Sequence, residues 1–104
     1  MYEKYFAERL TTLRNQKNVS AREMSLAIGQ NESYINRIEN GHTFPSMQGF
    51  FYICEYLNIT PSEFFDEKIT NPIGINDLML EFLELDDTQM NIVLSVVRGL
   101  LKKD

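Results

Sequence analysis

Residues 20–41 read SAREMSLAIGQNESYINRIENG, and this stretch decides how the rest of the chain is understood. Ser20 is a helix N-cap residue, and Glu23 three positions on supplies the other half of a capping box. Met24, Ala27 and Ile28 then fall on one helical face. Gly29 follows, and glycine tolerates the left-handed backbone that ends a helix. Asn31 can cap a second helix, with Glu32 placed to favour its N-terminal dipole. Tyr34, Ile35 and Ile38 form the buried side of that helix, and Asn40-Gly41 stops it. The pattern predicts two short helices, about Ala21 to Ile28 and about Glu32 to Asn40, with a tight corner between them.

The flanks extend the helical reading in both directions. Upstream, Phe6, Leu10 and Leu13 recur at i, i+4 and i+7, which predicts a helix over about Glu3 to Lys17. Val19 precedes the Ser20 cap as a hydrophobic staple. Downstream, Pro45 keeps Phe44 out of helix and Ser46 can cap a helix running from about Met47 to Leu57. Its core face is expected to be Met47, Phe50, Ile53, Cys54 and Leu57. Thr60 caps a fifth helix, with Pro61 at the first helical position and Glu63 completing a box. Phe64 and Phe65 are expected to plug the core.

Pro72 and Gly74 mark the segment after Phe65 as a linker, placed at 68–75. Asn76 or Asp77 would start a sixth helix, to about Leu85, with Leu78, Met79, Phe82 and Leu83 apolar. After the break at Asp86-Asp87 a seventh runs from about Thr88 to Lys102. Lys102-Lys103 suits its C-terminal dipole. That last helix carries apolar residues nearly all round its circumference, including Met90, Val93, Leu94, Val97, Leu100 and Leu101. One stripe cannot hide them all, so it should be buried on more than one side. A second copy of the chain is the favoured cover, through Leu78, Phe82 and those six residues; packing within one chain is the alternative. No segment alternates with period two long enough to suggest a sheet.

Residues 20–41 resemble the helix-turn-helix of the Cro-type (XRE) regulators, which include the lambda-like phage repressors. The matching residues are Ser20, Met24 at the usual leucine, Gly29 at the turn and YINRIENG from Tyr34 to Gly41. Pro45-Ser46, Ile53, Leu57 and TPSEFF from Thr60 to Phe65 continue the likeness, which covers roughly residues 5 to 66. The resemblance implies an all-α, five-helix lambda-repressor-like DNA-binding domain at 1–67, with 76–104 as a two-helix dimerisation tail. Its second motif helix would lie in the major groove. Base-facing positions would be Glu32, Ser33, Asn36 and Arg37. Arginine can grip guanine with two donors, asparagine pairs with adenine, serine suits either, and a carboxylate accepts from cytosine N4. Backbone contacts would come from Ala21, Arg22, Asn31, Asn40, His42 and Thr43. The resemblance also implies an Arg14–Glu39 bridge between the first and third helices. Solvated helix faces remain the plain alternative for Asn36, Arg37 and, most of all, Glu32, which also repels phosphate. His42 reads first as a solvated loop residue.

Four positions depart from the family pattern. Ala21 stands where glutamine often touches phosphate, which shifts that task to Arg22. Ser25 replaces a usual alanine, and its hydroxyl can bond back to a helix carbonyl. Leu26 and Gln30 exchange the usual polar and apolar characters around the corner.

Composition narrows the function classes. The 104 residues carry a net charge of −5, unusual for a DNA binder. The imbalance is uneven: residues 1–65 hold six Lys/Arg against seven Asp/Glu, and residues 66–104 hold four against eight. The excess acid therefore lies mainly outside residues 1–65, which hold the helix-turn-helix, and binding should depend strongly on salt. One His and one Cys supply no metal set, and no glycine-rich phosphate loop is present. No cofactor, metal or enzymatic activity is expected. Neither a signal peptide nor a membrane span is visible, and the single Cys54 suits a reducing cytoplasm. The 39 residues after Phe65 hardly enclose a separate pocket, so no small-molecule ligand is evident. The expectation is a homodimeric regulator, most plausibly a repressor, on a palindromic double-stranded DNA operator. The rival is an acidic helix-turn-helix module that binds a protein partner instead.

Overall fold

A computed structural model describes residues 2–102. Its helices are α1 (Tyr2–Lys17), α2 (Ala21–Ala27), α3 (Tyr34–Glu39), α4 (Met47–Leu57), α5 (Pro61–Phe65), α6 (Pro72–Phe82) and α7 (Asp87–Leu101). Among the described residues there is no strand. Lys103, assigned above to the last helix terminus, lies outside the described residues.

The stripe on α1 is buried as its spacing requires: Phe6, Ala7, Leu10 and Leu13 all face inward. Asn18 adopts a left-handed φ of 64° and ends the helix. Ser20 then caps α2, its hydroxyl accepting the Glu23 N–H at 2.9 Å. Gly29, at φ +78°, turns the chain where the sequence asked for it. The inward face of α2 is narrower than expected. Met24 and Ser25 are buried, whereas Ala27 is exposed, because a seven-residue helix has only two positions facing the core.

The third helix starts two residues later than its sequence predicts and ends one residue earlier. Asn31 does not cap it. The Asn31 carboxamide oxygen accepts instead from the Ser33 N–H at 3.1 Å and from its hydroxyl at 2.9 Å, which makes a polar turn of residues 31–33. Ser33 is the N-cap residue and makes no side-chain cap bond. Ser25 of α2 takes over. Its hydroxyl donates to the Ala21 carbonyl at 2.7 Å and accepts the Ile35 N–H at 2.9 Å. A family-type alanine would supply only the space.

α4 packs Phe50, Ile53, Cys54 and Leu57 into the core. Met47 does not join them and is 67% exposed, because the first turn of α4 overhangs the edge of the cluster. α5 is closed by a full capping box between Thr60 and Glu63. Phe64 is fully buried, but Phe65 is 49% exposed. Adjacent residues on a helix point about 100° apart, so only one of the two can enter the core.

The linker placed at 68–75 is corrected by α6, which begins at Pro72. Asn71 caps it by accepting the Gly74 N–H at 2.9 Å, and Pro72 occupies the first helical position, where a missing N–H costs nothing. Pro72 and Ile73 are buried against the head. Gln16 donates to the Thr70 carbonyl at 2.6 Å, and Asn76 to that of Asn58 at 3.2 Å. Past Asn76 the helix leaves the core, with Leu78, Met79, Leu80 and Leu83 exposed. α7 has an Asp86–Gln89 capping box but no buried residue. The radius of gyration is 16.9 Å, against about 13 Å for a compact domain of this length, so the tail stands away from the head. Burial of α7 on more than one side is therefore absent within a single chain.

Candidate nucleic-acid interface

The outward surface of the corner is built by what holds α3 in place. Ile35 and Ile38 are buried and fix its inner side. Glu39, on the flank, meets Arg14 of α1 through two bonds, Nε to Oε2 at 2.7 Å and Nη2 to Oε1 at 2.9 Å. Arg14 also donates from Nη1 to the Val19 carbonyl at 2.9 Å. The guanidinium thus ties α3 to α1 and to the segment leading into α2. The bond to Glu39 raises the Arg14 pKa above the ordinary arginine value against the opposing effect of burial. Tyr34 lies against α4, where Gly49 makes room: a Cβ there would sit 2.6 Å from the Tyr34 hydroxyl.

With its inner side and flank committed, α3 presents Asn36, Arg37 and Asn40 to solvent, and the preceding turn presents Asn31, Glu32 and Ser33. Among the described residues the Arg37 side chain makes no ion pair or hydrogen bond. Asn40 is turned back on its own helix, its amide donating to the Asn36 backbone carbonyl at 2.8 Å and to the Asn36 side-chain oxygen at 3.0 Å. The Asn36 amide N–H groups stay available.

Glu32 is less free than its position implies. Its carboxylate pairs with Arg22 at the start of α2, Nε to Oε2 at 3.1 Å, with both side chains about two-thirds exposed. One expected base contact and one expected phosphate contact therefore neutralise each other across the corner. The sequence offers no direct signal for this pair, ten residues apart on α2 and on the turn before α3. Ala21 is half-buried and offers little surface. His42 and Thr43 follow α3 in an exposed loop, with the His42 N–H on the Arg37 carbonyl at 2.9 Å. The Thr43 hydroxyl donates to the Phe44 carbonyl at 3.3 Å.

One structural residue has no signal in the sequence, and a second, Ser25, does more than the bond to a helix carbonyl that its position suggests. Arg9, half-buried on α1, gathers the C-terminal end of α5 by donating to the carbonyls of Glu63, Phe64, Asp66 and Ile69. The Phe64 carbonyl is one that the end of α5 leaves open, while those of Glu63 and Asp66 also accept the Asp66 and Ile69 N–H groups. Ser25 supports α3 as described above. Neither position touches the exposed surface, but both set its orientation.

Cys54 is 2% exposed, and burial pushes its thiol up to about 11, which suits a core residue and not a nucleophile. Among the described residues no group of three or more His, Cys, Asp or Glu could hold a metal, and no helix is long and apolar enough to cross a membrane. The expected tail contacts divide: Phe82, Met90 and Val93 are half-buried, while Leu78, Leu94, Val97, Leu100 and Leu101 are exposed.

A family model described as helix-turn-helix (HTH_3) matches residues 10–64, which span α2, α3 and the elements that brace them. No curated protein and no solved structure matches the chain.

Proposed function

The chain belongs to the helix-turn-helix (HTH_3, XRE-type) family of DNA-binding transcription regulators, and we propose that it acts as a homodimeric repressor on a palindromic operator. Each copy would seat α3 in the major groove, with the two reading helices about 34 Å apart, one turn of DNA. The observation that carries this reading is the division of α3. Its inner side and Glu39 are locked by buried apolar contacts and the Arg14 bridge, while Arg37 is exposed and uncommitted.

Arg37 would read a guanine, Asn36 an adenine and Ser33 either base. Arg22, Asn31, Asn40, His42, Thr43 and the backbone at Ala21 would lie along phosphates and set the register. Glu32 has a smaller role, accepting from a cytosine only when Arg22 swings to a phosphate. The pair of copies would form through α6 and α7, whose Leu78, Leu94, Val97, Leu100 and Leu101 are uncovered in one chain. The work is binding in the cytoplasm, with no catalysis, metal or cofactor.

The Arg22–Glu32 pair and the charge of −5 favour a second reading, an interaction module for a protein partner. Selection of bound duplexes from a random pool, followed by Arg37→Ala, separates the two. A bidentate arginine–guanine contact is worth about 1–3 kcal/mol of discrimination, so Arg37→Ala should lower operator affinity about 5- to 150-fold and relax one base position. An equal loss on every duplex would remove the base contact. No duplex retained at low ionic strength would sink the DNA reading itself.

A further inference from the structure

The face of the head where α1 begins carries a concentration of aromatic surface that the DNA reading does not use. Tyr2, Tyr5 and Phe6 of α1, Phe44 of the loop before α4 and Phe65 at the end of α5 line a cleft of about 620 Å³. Its volume falls in the range of small-molecule sites. The rings hold one another at fixed angles. Phe44 meets Phe6 edge-on at 5.6 Å between centroids, and Phe65 lies 6.3 Å from Phe6. The Tyr5 hydroxyl points to the Phe65 carbonyl at 3.5 Å. Tyr2, Phe44 and Phe65 are 76%, 51% and 49% exposed. Single exposed rings are ordinary, but a contiguous aromatic patch marks a binding surface.

Charge selects the occupant. Among the described residues, Glu67 is the one charged residue in the lining, and none of them brings a cation to the cleft. Arg9 of the same helix spends its guanidinium on α5 carbonyls, and Lys4 lies 4.0 Å from Glu8. Aromatic faces are electron-rich and attract organic cations, and a carboxylate at the rim adds to that field. Among the described lining residues an anion would meet only π faces and a carboxylate. We infer that this cleft binds a lipophilic organic cation, an alkyl- or aryl-substituted ammonium or phosphonium, with its substituents against the rings and its charge toward Glu67. The expectation that the tail encloses no separate pocket is no obstacle, because this cleft belongs to the head. Phe44 follows His42 and Thr43, so an occupant would touch the loop that carries two proposed phosphate contacts.

Tetraphenylphosphonium and tetraphenylborate have nearly the same shape and opposite charge, which makes them a matched pair of probes. Calorimetric titration of the full chain should give saturable binding of tetraphenylphosphonium, at least about tenfold tighter than tetraphenylborate. Glu67→Gln should shrink that preference about fivefold, and Tyr2→Ala should weaken the cation several-fold. Glu84→Gln, with the same change in net charge beyond α6, should leave the preference unchanged. Lack of saturation, equal binding of the two ions, or an equal response to Glu67→Gln and Glu84→Gln would overturn the site. So would a change of particle mass on Tyr2→Ala in sedimentation, since the cleft would then be a contact between copies.

Discussion

α1 and α7 are close in length, at 16 and 15 residues, and opposite in fate. α1 is the more polar helix, yet it buries Phe6, Ala7, Leu10 and Leu13 in a single line against α3, α4 and α6. α7 is the richer in apolar side chains and buries none of them. Burial thus follows the registration of a stripe against partners that exist in the same chain, not the amount of apolar surface. The apolar side chains of α7 form one broad side opposite Asn91, Ser95 and Arg98, and among the described residues no helix of the same chain lies along it to cover them.

The largest effect should come from cutting into the stripe that is satisfied. Leu10 is fully buried, and Leu10→Ala should cost about 2–5 kcal/mol in denaturant unfolding, through lost burial and the cavity left behind. That loss should not depend on protein concentration. Leu94→Ala in α7 provides the contrast. Leu94 is 40% exposed in the single chain, so in dilute solution the change should stay within about 0.5 kcal/mol. If two copies cover α7, the cost should grow with concentration, because association and folding are then linked. A large cost for Leu94→Ala that is independent of concentration would break the comparison, since α7 would then be buried within its own chain.

The same contrast operates on a smaller scale between the ends of α3 and α7. α7 begins with its own cap, Asp86 accepting the Gln89 N–H at 2.8 Å. α3 begins without one and borrows the Ser25 hydroxyl from α2. Ser25→Ala therefore leaves the buried Ile35 N–H without a partner, which should cost about 1–3 kcal/mol. The loss should be visible in thermal unfolding and in faster amide exchange at Ile35. A neutral Ser25→Ala would mean that space, and not the bond, is what the corner needs.

What the sequence revealed follows the range over which its signals act. Caps and stripes act within a few residues, so Ser20, Ser46, Thr60 and the α1 face were legible. Arg9 was not, because its four carbonyl partners lie 54 to 60 positions away and a charged residue on a polar helix looks solvated. Pro72 was misread as a breaker. The Asn71-Pro72 pair is also a helix start, and only Ile73 docking on the head decides between the two meanings. Met47 overhangs the core and Phe65 is covered on one side only, by the Phe6 and Phe50 rings, a fact of placement that spacing does not contain. At the candidate site, periodicity makes the buried Ile35 and Ile38 of α3 legible, and the resemblance supplies the base-facing positions. The engagement of Glu32 by Arg22 was not, since it depends on how α2 and α3 cross.

The two Arg–Glu pairs sharpen the difference between holding a surface and tuning it. Arg14 and Glu39 have side chains only 15% and 9% exposed, and their two bonds fix α3. Arg22 and Glu32 are 68% and 67% exposed and joined by one contact. Exposed pairs of that kind are worth about 0.2–1 kcal/mol and are screened by salt. Glu32→Gln should therefore change unfolding free energy by no more than about 1 kcal/mol, with the change fading as salt is added. Its effect on DNA should have the opposite sign. Removing the carboxylate releases Arg22 and deletes a negative charge from the face set against phosphate, so affinity for duplex of any sequence should rise, and the slope of log affinity against log salt should steepen by up to about one. Mobility shifts over a salt series measure both quantities. Weaker binding after Glu32→Gln, confined to duplexes with one particular base, would instead make Glu32 a reader in its own right, and the Arg22 pair merely its resting place.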